Sequence, residues 1–487
     1  MPKAEIYLGE SCRVLFFHGS PTVSELLSEN GISLEHPCGG RGVCGHCSVW
    51  LAEGADLSEA ARARPRRCLS CRTRLTGDVR IWLEEPSAAR ILLPSVNDSS
   101  RLPFCPDGKA PLTAVTDIGT STIALGLYGE DDPNPVYSAG TVNPQRSVAA
   151  DVIGRISAAL HQRGPLLQNQ IWNALEQMTA QSGYGERIQS WIITGNTAML
   201  YLLTGRDPFS IATAPFQPDH LFDETITVNQ KQVYLPPCVH GFLGADFLCS
   251  ILFSEMFERS QIAILCDLGT NGEMALWKNG TLYAASAALG PALEGVGLRQ
   301  GCMAVQGAID RVIPTGNGLM ISTIGNRKPI GLCGSGVIDA VSAGLVLGHI
   351  DSDGRLIHEM RLCEGISLAQ ADIHAVLLAK AAFRAGLERI LAYSGTAVED
   401  IQAAYLCGGF GSSMNLLSAQ RIGLWPGALV PITKSLGNAA LGGAAQLRVP
   451  KNRKIIRDLA KHTVHIPLGG EKGFERAFIQ RMRFSSE

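Results

Sequence analysis

Leu265-Cys-Asp-Leu-Gly-Thr-Asn-Gly-Glu273 is the stretch whose reading decides the fold. Ile262 to Leu265 is a continuous apolar run before a glycine turn, the pattern of a strand covered on both faces. Asp267 falls at the end of that strand, and Gly269 and Gly272 let the backbone approach something closely. Thr270 and Asn271 add a hydroxyl and an amide. An acid able to hold hydrated Mg²⁺, beside a turn whose N–H groups can face phosphate, is what a nucleoside triphosphate requires.

A single Asp-x-Gly-Thr is a weak signal, because many hairpins contain one. Here it occurs twice. Ala114-Val-Thr-Asp-Ile-Gly-Thr-Ser-Thr-Ile123 repeats the design, with Asp117, Gly119, Thr120 and Ser121 in the first copy and Asp267, Gly269, Thr270 and Asn271 in the second. Two related strand–turn–strand units imply two similar lobes facing one ligand. The body therefore reads as α/β, with lobe 1 over 111–260 and lobe 2 over 261–487.

Between and beyond the two turns lie further small-residue signals. Ser190 to Thr194 reads as a strand ending in Gly195-Asn-Thr-Ala-Met-Leu200, with Met199 a core residue. Asp246 reads as a helix N-cap, or else as an acid standing behind the residues that meet the ligand. Ser286-Ala-Ala-Leu-Gly-Pro-Ala-Leu-Glu-Gly295 is too small in its side chains to bury much surface, so it approaches a ligand or partner closely. Gly331-Leu-Cys-Gly-Ser-Gly336 starts a helix at a glycine turn, which makes Gly334 and Gly336 anion-site candidates. Leu368 to Tyr393 has helical spacing. Ala403 to Leu406 is a strand leading into Gly408-Gly409, whose backbone suits the flat face of adenine. Gly437 to Ala444 reads as a closely packed final helix.

The 487 residues are enough for two to four domains. An apolar content of 46% with 18% charged residues indicates a globular chain with a large core. The net charge of −2 gives no general attraction for nucleic acid or an anionic membrane. No apolar stretch approaches bilayer length, and Met1-Pro-Lys-Ala-Glu-Ile lacks signal-peptide character, so the cytoplasm is the expected location.

Fourteen cysteines are present, and five of them fall between Cys38 and Cys71. In a reducing compartment such a group reads as a metal site. Residues 1–84 begin with short strands at Glu5 to Leu8 and Arg13 to Phe17. A helix from Thr22 to Glu29 follows, with Thr22 as N-cap and Gly31 as its stop. Then comes His36-Pro-Cys-Gly-Gly-Arg-Gly-Val-Cys-Gly-His-Cys47. Cys38, Cys44 and Cys47 are spaced C-x5-C-x2-C, and the glycines free backbone N–H groups to point at sulfur. This loop resembles that of plant-type 2Fe–2S ferredoxins, C-x4-C-x2-C with a distant fourth cysteine, with one residue added. Cys68 and Cys71 both offer the fourth ligand. A zinc site from Cys44/Cys47 and Cys68/Cys71 would satisfy the count but leaves Cys38 and the glycine loop unexplained. Residues 85–110, with Pro86, Pro94, Pro103 and Pro106, read as an extended linker.

The order of these parts resembles the acetate and sugar kinase, heat-shock chaperone and actin superfamily of ATPases. More narrowly, a 2Fe–2S domain joined to such a body resembles the reductive activators of corrinoid-dependent enzymes. The motifs that carry this are Thr194-Gly-Asn-Thr-Ala-Met199, Asp267 to Glu273, Gly290-Pro-Ala-Leu-Glu-Gly295, Leu332-Cys-Gly-Ser-Gly336 and Gly437-Asn-Ala-Ala440. The resemblance implies a β-grasp ferredoxin-like domain on a duplicated, two-lobed ATPase.

It also implies that Cys38, Cys44, Cys47 and Cys71 hold the cluster. Leu69-Ser-Cys71 before a strand matches the family's pattern better than Cys68 does. Asp117 and Asp267 would orient Mg²⁺ and water. Phosphates would meet Gly119, Thr120, Ser121, Gly269, Thr270, Asn271, Gly272, Gly334 and Gly336, and adenosine would meet Gly408 and Gly409. Ser286 becomes a candidate for facing the corrinoid.

The implied activity is ATP-dependent one-electron return of Co(II) to Co(I) in a corrinoid protein, fed by an external low-potential donor. A plant-type centre sits near about −400 mV, and about 100 mV uphill costs about 2.3 kcal/mol for one electron. Larger family members carry an extra domain before the first phosphate turn. Here that turn follows the linker directly, which leaves homodimerisation open. The rival readings are an ATP-dependent donor to another low-potential acceptor, a small-molecule kinase with a redox-sensing iron–sulfur domain, and a chaperone-like binding module.

Overall fold

The computed structural model describes residues 1–8, 11–30, 32, 34, 47–53, 66–83, 110–130, 132–214, 216–316 and 318–485. The N-terminal sheet is built from β1 (Lys3–Leu8), β2 (Ser11–Phe16), β3 (Ser48–Glu53), β4 (Arg66–Leu69) and β5 (Val79–Leu83), in the order β2-β1-β5-β3-β4. β1 runs parallel to β5 and antiparallel to β2. Alternate residues Ala4, Ile6, Val49, Leu51, Val79 and Ile81 are buried with Val23, Leu26 and Leu27 of the helix Val23–Glu29. A five-stranded mixed sheet grasping one helix is the expected β-grasp arrangement.

Thr22 caps that helix as the sequence suggests. Its Oγ1 accepts from the Glu25 backbone N–H at 3.1 Å, and Glu25 Oε2 accepts from the Thr22 N–H at 2.8 Å, a reciprocal capping box. The helix ends at Asn30. Gly31, the expected stop, lies outside the described residues, as do Cys38, Cys44 and nearly all of the 85–110 linker.

The body contains two six-stranded sheets. The first comprises β6 (Leu112–Ile118), β7 (Thr122–Tyr128), β8 (Tyr137–Val142), β9 (Ile188–Gly195), β10 (Glu224–Val228) and β11 (Lys231–Leu235), ordered β10-β11-β9-β6-β7-β8. After it come β12 (Ala263–Leu268), β13 (Asn271–Lys278) and β14 (Thr281–Ala288). A smaller sheet of β15 (Ala308–Thr315), β16 (Gly318–Thr323) and β17 (Gly331–Leu332) follows, then the hairpin β18 (Met360–Cys363) and β19 (Ile366–Leu368). The second large sheet is completed by β20 (Ala403–Cys407), β21 (Thr433–Ser435) and β22 (Thr463–His465), ordered β21-β20-β12-β13-β14-β22.

Duplication is visible in the pairing. β6 is antiparallel to β7 and parallel to β9, and β12 is antiparallel to β13 and parallel to β20. In each lobe the turn after the central strand therefore emerges at the same place. Between the sheets lie the helices Ala245–Ser254 and Ala439–Gln446. Their approach depends on Gly443, where a Cβ would collide with the Cys249 carbonyl. One apolar core draws on both sheets, with Val115 and Ile192 from the first and Leu265 and Ala275 from the second. Each lobe also has its own outer core.

The Gly437–Ala444 segment forms a helix, Ala439–Gln446, but not the final one. Pro450–His462 and Lys472–Gln480 follow it. Among the described residues no helix is long and apolar enough to cross a membrane.

Removal of one capping hydroxyl offers a simple check on the N-terminal domain. Thr22→Ala is expected to cost about 1 kcal/mol, read as faster native-state hydrogen exchange at β1 and β5 amides with body amides unchanged.

Candidate functional site

Both repeated turns open on one cleft of about 470 Å³, within the size range of small-ligand sites. From lobe 1, β6 carries Asp117 as its penultimate residue, and the β6–β7 connection supplies Gly119, Thr120 and Ser121. From lobe 2, β12 carries Asp267, and Gly269, Thr270 and Asn271 follow. Gly334, at the start of the helix Gly334–Val346, and Gly408 and Gly409, after β20, also border it.

Two expected nucleotide residues take packing positions instead. Gly272 is buried, and a Cβ there would lie 2.8 Å from Leu289. Gly336 backs onto the Ile309 carbonyl of β15, where a side chain would collide. Neither borders the cleft, and neither does Ser286. Gly408 has φ +79°, and a side chain there would run into the Asp267 carboxyl, whereas nothing lies within 4 Å of a Cβ placed on Gly409. The first glycine thus makes the turn, and the second leaves a surface open for a ligand.

The electrostatics are dominated by carboxyl groups. Burial raises Asp117 to about 6, against the lowering effect of an Asn438 Nδ2 donor 3.1 Å from Oδ2. Asp267 is raised to about 7 by burial and by the charges of Asp117 and Glu294. Asp246 reaches about 8 through burial and its neighbours Asp117 and Asp267. Glu273 lies well above its usual range for the same reasons, burial first. Asp246 is not the N-cap of its helix. Gly244 occupies that position, and Asp246, two residues further on within the first turn, faces the cleft while accepting from the Phe247 N–H at 2.9 Å.

Four residues that the sequence reading did not assign a role complete the arrangement. Glu294 accepts from Ser121 Oγ at 2.5 Å and from Thr270 Oγ1 at 3.0 Å, joining the two turns. Asn438 N-caps Ala439–Gln446 through the Leu441 N–H while reaching Asp117 across the cleft. Arg155, fully buried, donates to the Thr120 carbonyl at 2.5 Å and so holds the first turn from behind. Glu273 is the fourth. Asn196, already noted after β9, caps Thr197–Thr204 and donates to Thr120 Oγ1 at 3.3 Å.

Hard oxygen donors on both sides of the cleft suit Mg²⁺. No three His, Cys, Asp or Glu groups among the described residues form a ready-made metal cage.

In the N-terminal domain, Ser48 of β3 pairs with Leu69 of β4, and the Ser70 N–H donates to the Cys47 carbonyl at 2.9 Å. This register brings Cys47 and Cys71 together, with their Sγ atoms 3.3 Å apart. Cys68 pairs with the buried Val49 and packs on the domain core. These paired thiols fit an iron–sulfur cluster, whose irons take thiolate ligands in pairs.

Three family models tile the chain: the 2Fe-2S iron-sulfur cluster binding domain over 9–76, the RACo middle region over 112–259, and the C-terminal domain of RACo, the ASKHA domain, over 261–487. A curated relative, the corrinoid activation enzyme RamQ of Eubacterium limosum, is 25% identical, with 95% of this chain and 96% of that protein covered. The chain belongs to the reductive activators of corrinoid-dependent enzymes.

This family's parts account for both sites, a 2Fe–2S domain and a nucleotide-binding ASKHA body. The [Co(II) methylated amine-specific corrinoid protein] reductase of Methanosarcina barkeri is 30% identical over 55% of this chain and 54% of its own length. In fold, the chain is similar to the solved reductive activator for corrinoid, iron-sulfur protein, with a TM-score of 0.71, 22% identity, and 99% and 98% of the two chains covered.

The raised carboxyl values fix a pH dependence. These groups hold protons in the folded chain at a pH where the unfolded chain has released them. Their contribution is therefore fully present below about pH 4 and is lost as pH rises through about 6 to 8. Without nucleotide or divalent metal, the unfolding temperature is expected to fall from pH 5.5 to 8.5. Asp246→Asn should raise it at pH 8 by about 2–4 °C and by less at pH 5.5. Calorimetry at the two pH values checks this.

Proposed function

We propose that this chain reduces the Co(II) form of a corrinoid partner protein to Co(I) by one electron, with MgATP at the interlobe cleft controlling the transfer. The observation that carries this reading is the joining, in one chain, of a cysteine-loop domain with Cys47 and Cys71 side by side and a two-lobed cleft in which both phosphate turns face each other. The names of the Eubacterium and Methanosarcina relatives, one a corrinoid activation enzyme and one a Co(II) corrinoid protein reductase, support the choice of partner.

Cys38, Cys44, Cys47 and Cys71 would hold the 2Fe–2S cluster, which when bound supplies a one-electron carrier of low potential. An external low-potential donor replaces the electron passed on. In the cleft, Asp117 and Asp267 would hold Mg²⁺ and its water. The hydroxyls of Thr120, Ser121 and Thr270 and the amide of Asn271 donate to phosphate oxygens. Gly408 and Gly409 place backbone against the adenosine. Arg155 and Asn438 keep the first turn and Asp117 in position from behind and from the opposite lobe.

Two measurements test this reading. ATP hydrolysis is expected to rise when a Co(II) corrinoid protein is added, with inorganic phosphate as the sole phosphorus-containing product besides ADP. Transfer of the phosphoryl group to a small molecule would instead make the chain a kinase. For the cluster, Cys71→Ser should abolish or shift the visible absorption of the 2Fe–2S centre, whereas Cys68→Ser should leave it. The opposite pattern would move the fourth ligand to Cys68.

A further inference from the structure

Glu294 occupies an unusual place for an acid. Its carboxylate lies between two turns expected to receive phosphate, and the donors it uses are the turns' own hydroxyls, Ser121 Oγ at 2.5 Å and Thr270 Oγ1 at 3.0 Å. Cations stand behind it: Arg146 Nη1 lies 3.4 Å from the same Ser121 Oγ, and the buried Arg155 guanidinium donates to the Thr120 carbonyl of the same turn. On the other side Asp267 lies close enough for the Glu294 charge to raise its proton affinity. Gly269 makes room, since a Cβ there would stand 3.2 Å from Glu294 Oε1.

The backbone beneath Glu294 is fixed. Leu293 is fully buried, its carbonyl sits where a Cβ on Gly334 would go, and Gly295 has φ +76° with no space for a side chain against the Cys302 carbonyl. Partly exposed Glu294 is therefore attached to a rigid turn by a side chain that can swing.

We propose that the Glu294 carboxylate is an internal stand-in for the terminal phosphate of ATP, tying the two lobes together through Ser121 and Thr270 until a γ-phosphate displaces it. A carboxylate and a phosphate present the same chemistry to a hydroxyl, a charged oxygen acceptor. Both cannot hold the same two donors, and their like charges repel in a partly buried site. ADP, one phosphate shorter, leaves the carboxylate where it is. Glu294 is thus the residue by which the cleft distinguishes triphosphate from diphosphate. The inference rests on the nucleotide reading of the cleft alone, not on corrinoid reduction.

Calorimetric titration of the full-length protein with Mg²⁺ and either AMPPNP or ADP tests it. Glu294→Gln removes the competing charge and is expected to tighten AMPPNP about tenfold, with ADP changed by no more than about twofold. A Glu294→Gln variant that weakens AMPPNP, or leaves it unchanged, overturns the proposal. Unchanged AMPPNP affinity with lost hydrolysis would make Glu294 a base toward water instead, and equal tightening of ADP would reduce it to a general repulsive charge. If Glu294→Gln fails to fold by far-UV circular dichroism, Glu294→Asp provides the second reading. Its shorter carboxylate reaches one hydroxyl instead of two, so AMPPNP should tighten relative to ADP by a smaller factor, and no change in that ratio contradicts the proposal. Failure to bind either nucleotide in the wild-type protein would remove the nucleotide reading itself.

Discussion

Asp117 and Asp267 arrive at one cleft from opposite lobes, with Asp246 and Glu273 close behind, and the crowding of these buried acids is the constraint around which the body is arranged. Each sits where a central strand or an interlobe helix places it, so none can move away without disturbing the core shared by the two sheets. The neighbouring groups are those that make such crowding tolerable. Asn438 donates to Asp117 from the far lobe, and Glu294 accepts from two hydroxyls. What remains is an elevated proton affinity at every one of the four acids.

That load is similar in size to the energy of the electron step. A tenfold change in the proton affinity of one carboxyl corresponds to about 1.4 kcal/mol. Relieving part of the strain on one or two of these acids with a divalent cation and its nucleotide is thus on the scale of the about 2.3 kcal/mol needed to raise an electron by about 100 mV. Small movements at the turns have a direct route into the fold, because Asn438 caps a helix that lies between the sheets and Glu294 belongs to a turn wedged against the start of Gly334–Val346.

Much of this was readable from the residues because it is local. The strand–turn–strand repeat, the capping box at Thr22 and the strand before Gly408 all depend on neighbours within a few positions. What escaped depends on distance in the chain. Glu294 finds Ser121 in the other lobe, and its signal, a lone acid in the small-residue run 286–295, was visible but had no partner in sequence. Asp246 was read as a possible cap because acids at helix starts usually are, and only the angle of its helix turns it to the cleft. Gly272 and Gly336 were placed at the ligand because a glycine that admits a ligand and one that admits a neighbouring chain look the same in sequence. The register of β3 against β4 sets Cys71 beside Cys47 and Cys68 beside Val49, and that register is set by the whole sheet.

The central claim is that the interlobe cleft controls an electron rather than transferring a phosphoryl group. It is tested most directly by anaerobic single-turnover mixing of the pre-reduced protein with a Co(II) corrinoid protein, with and without MgATP, followed by the absorption of Co(I). Co(I) formation is expected to depend on MgATP and to restore one electron's worth of oxidised-cluster absorption in step. Co(I) appearing equally without nucleotide, or no Co(I) with MgATP while the cluster stays reduced and ATP is consumed, would contradict it.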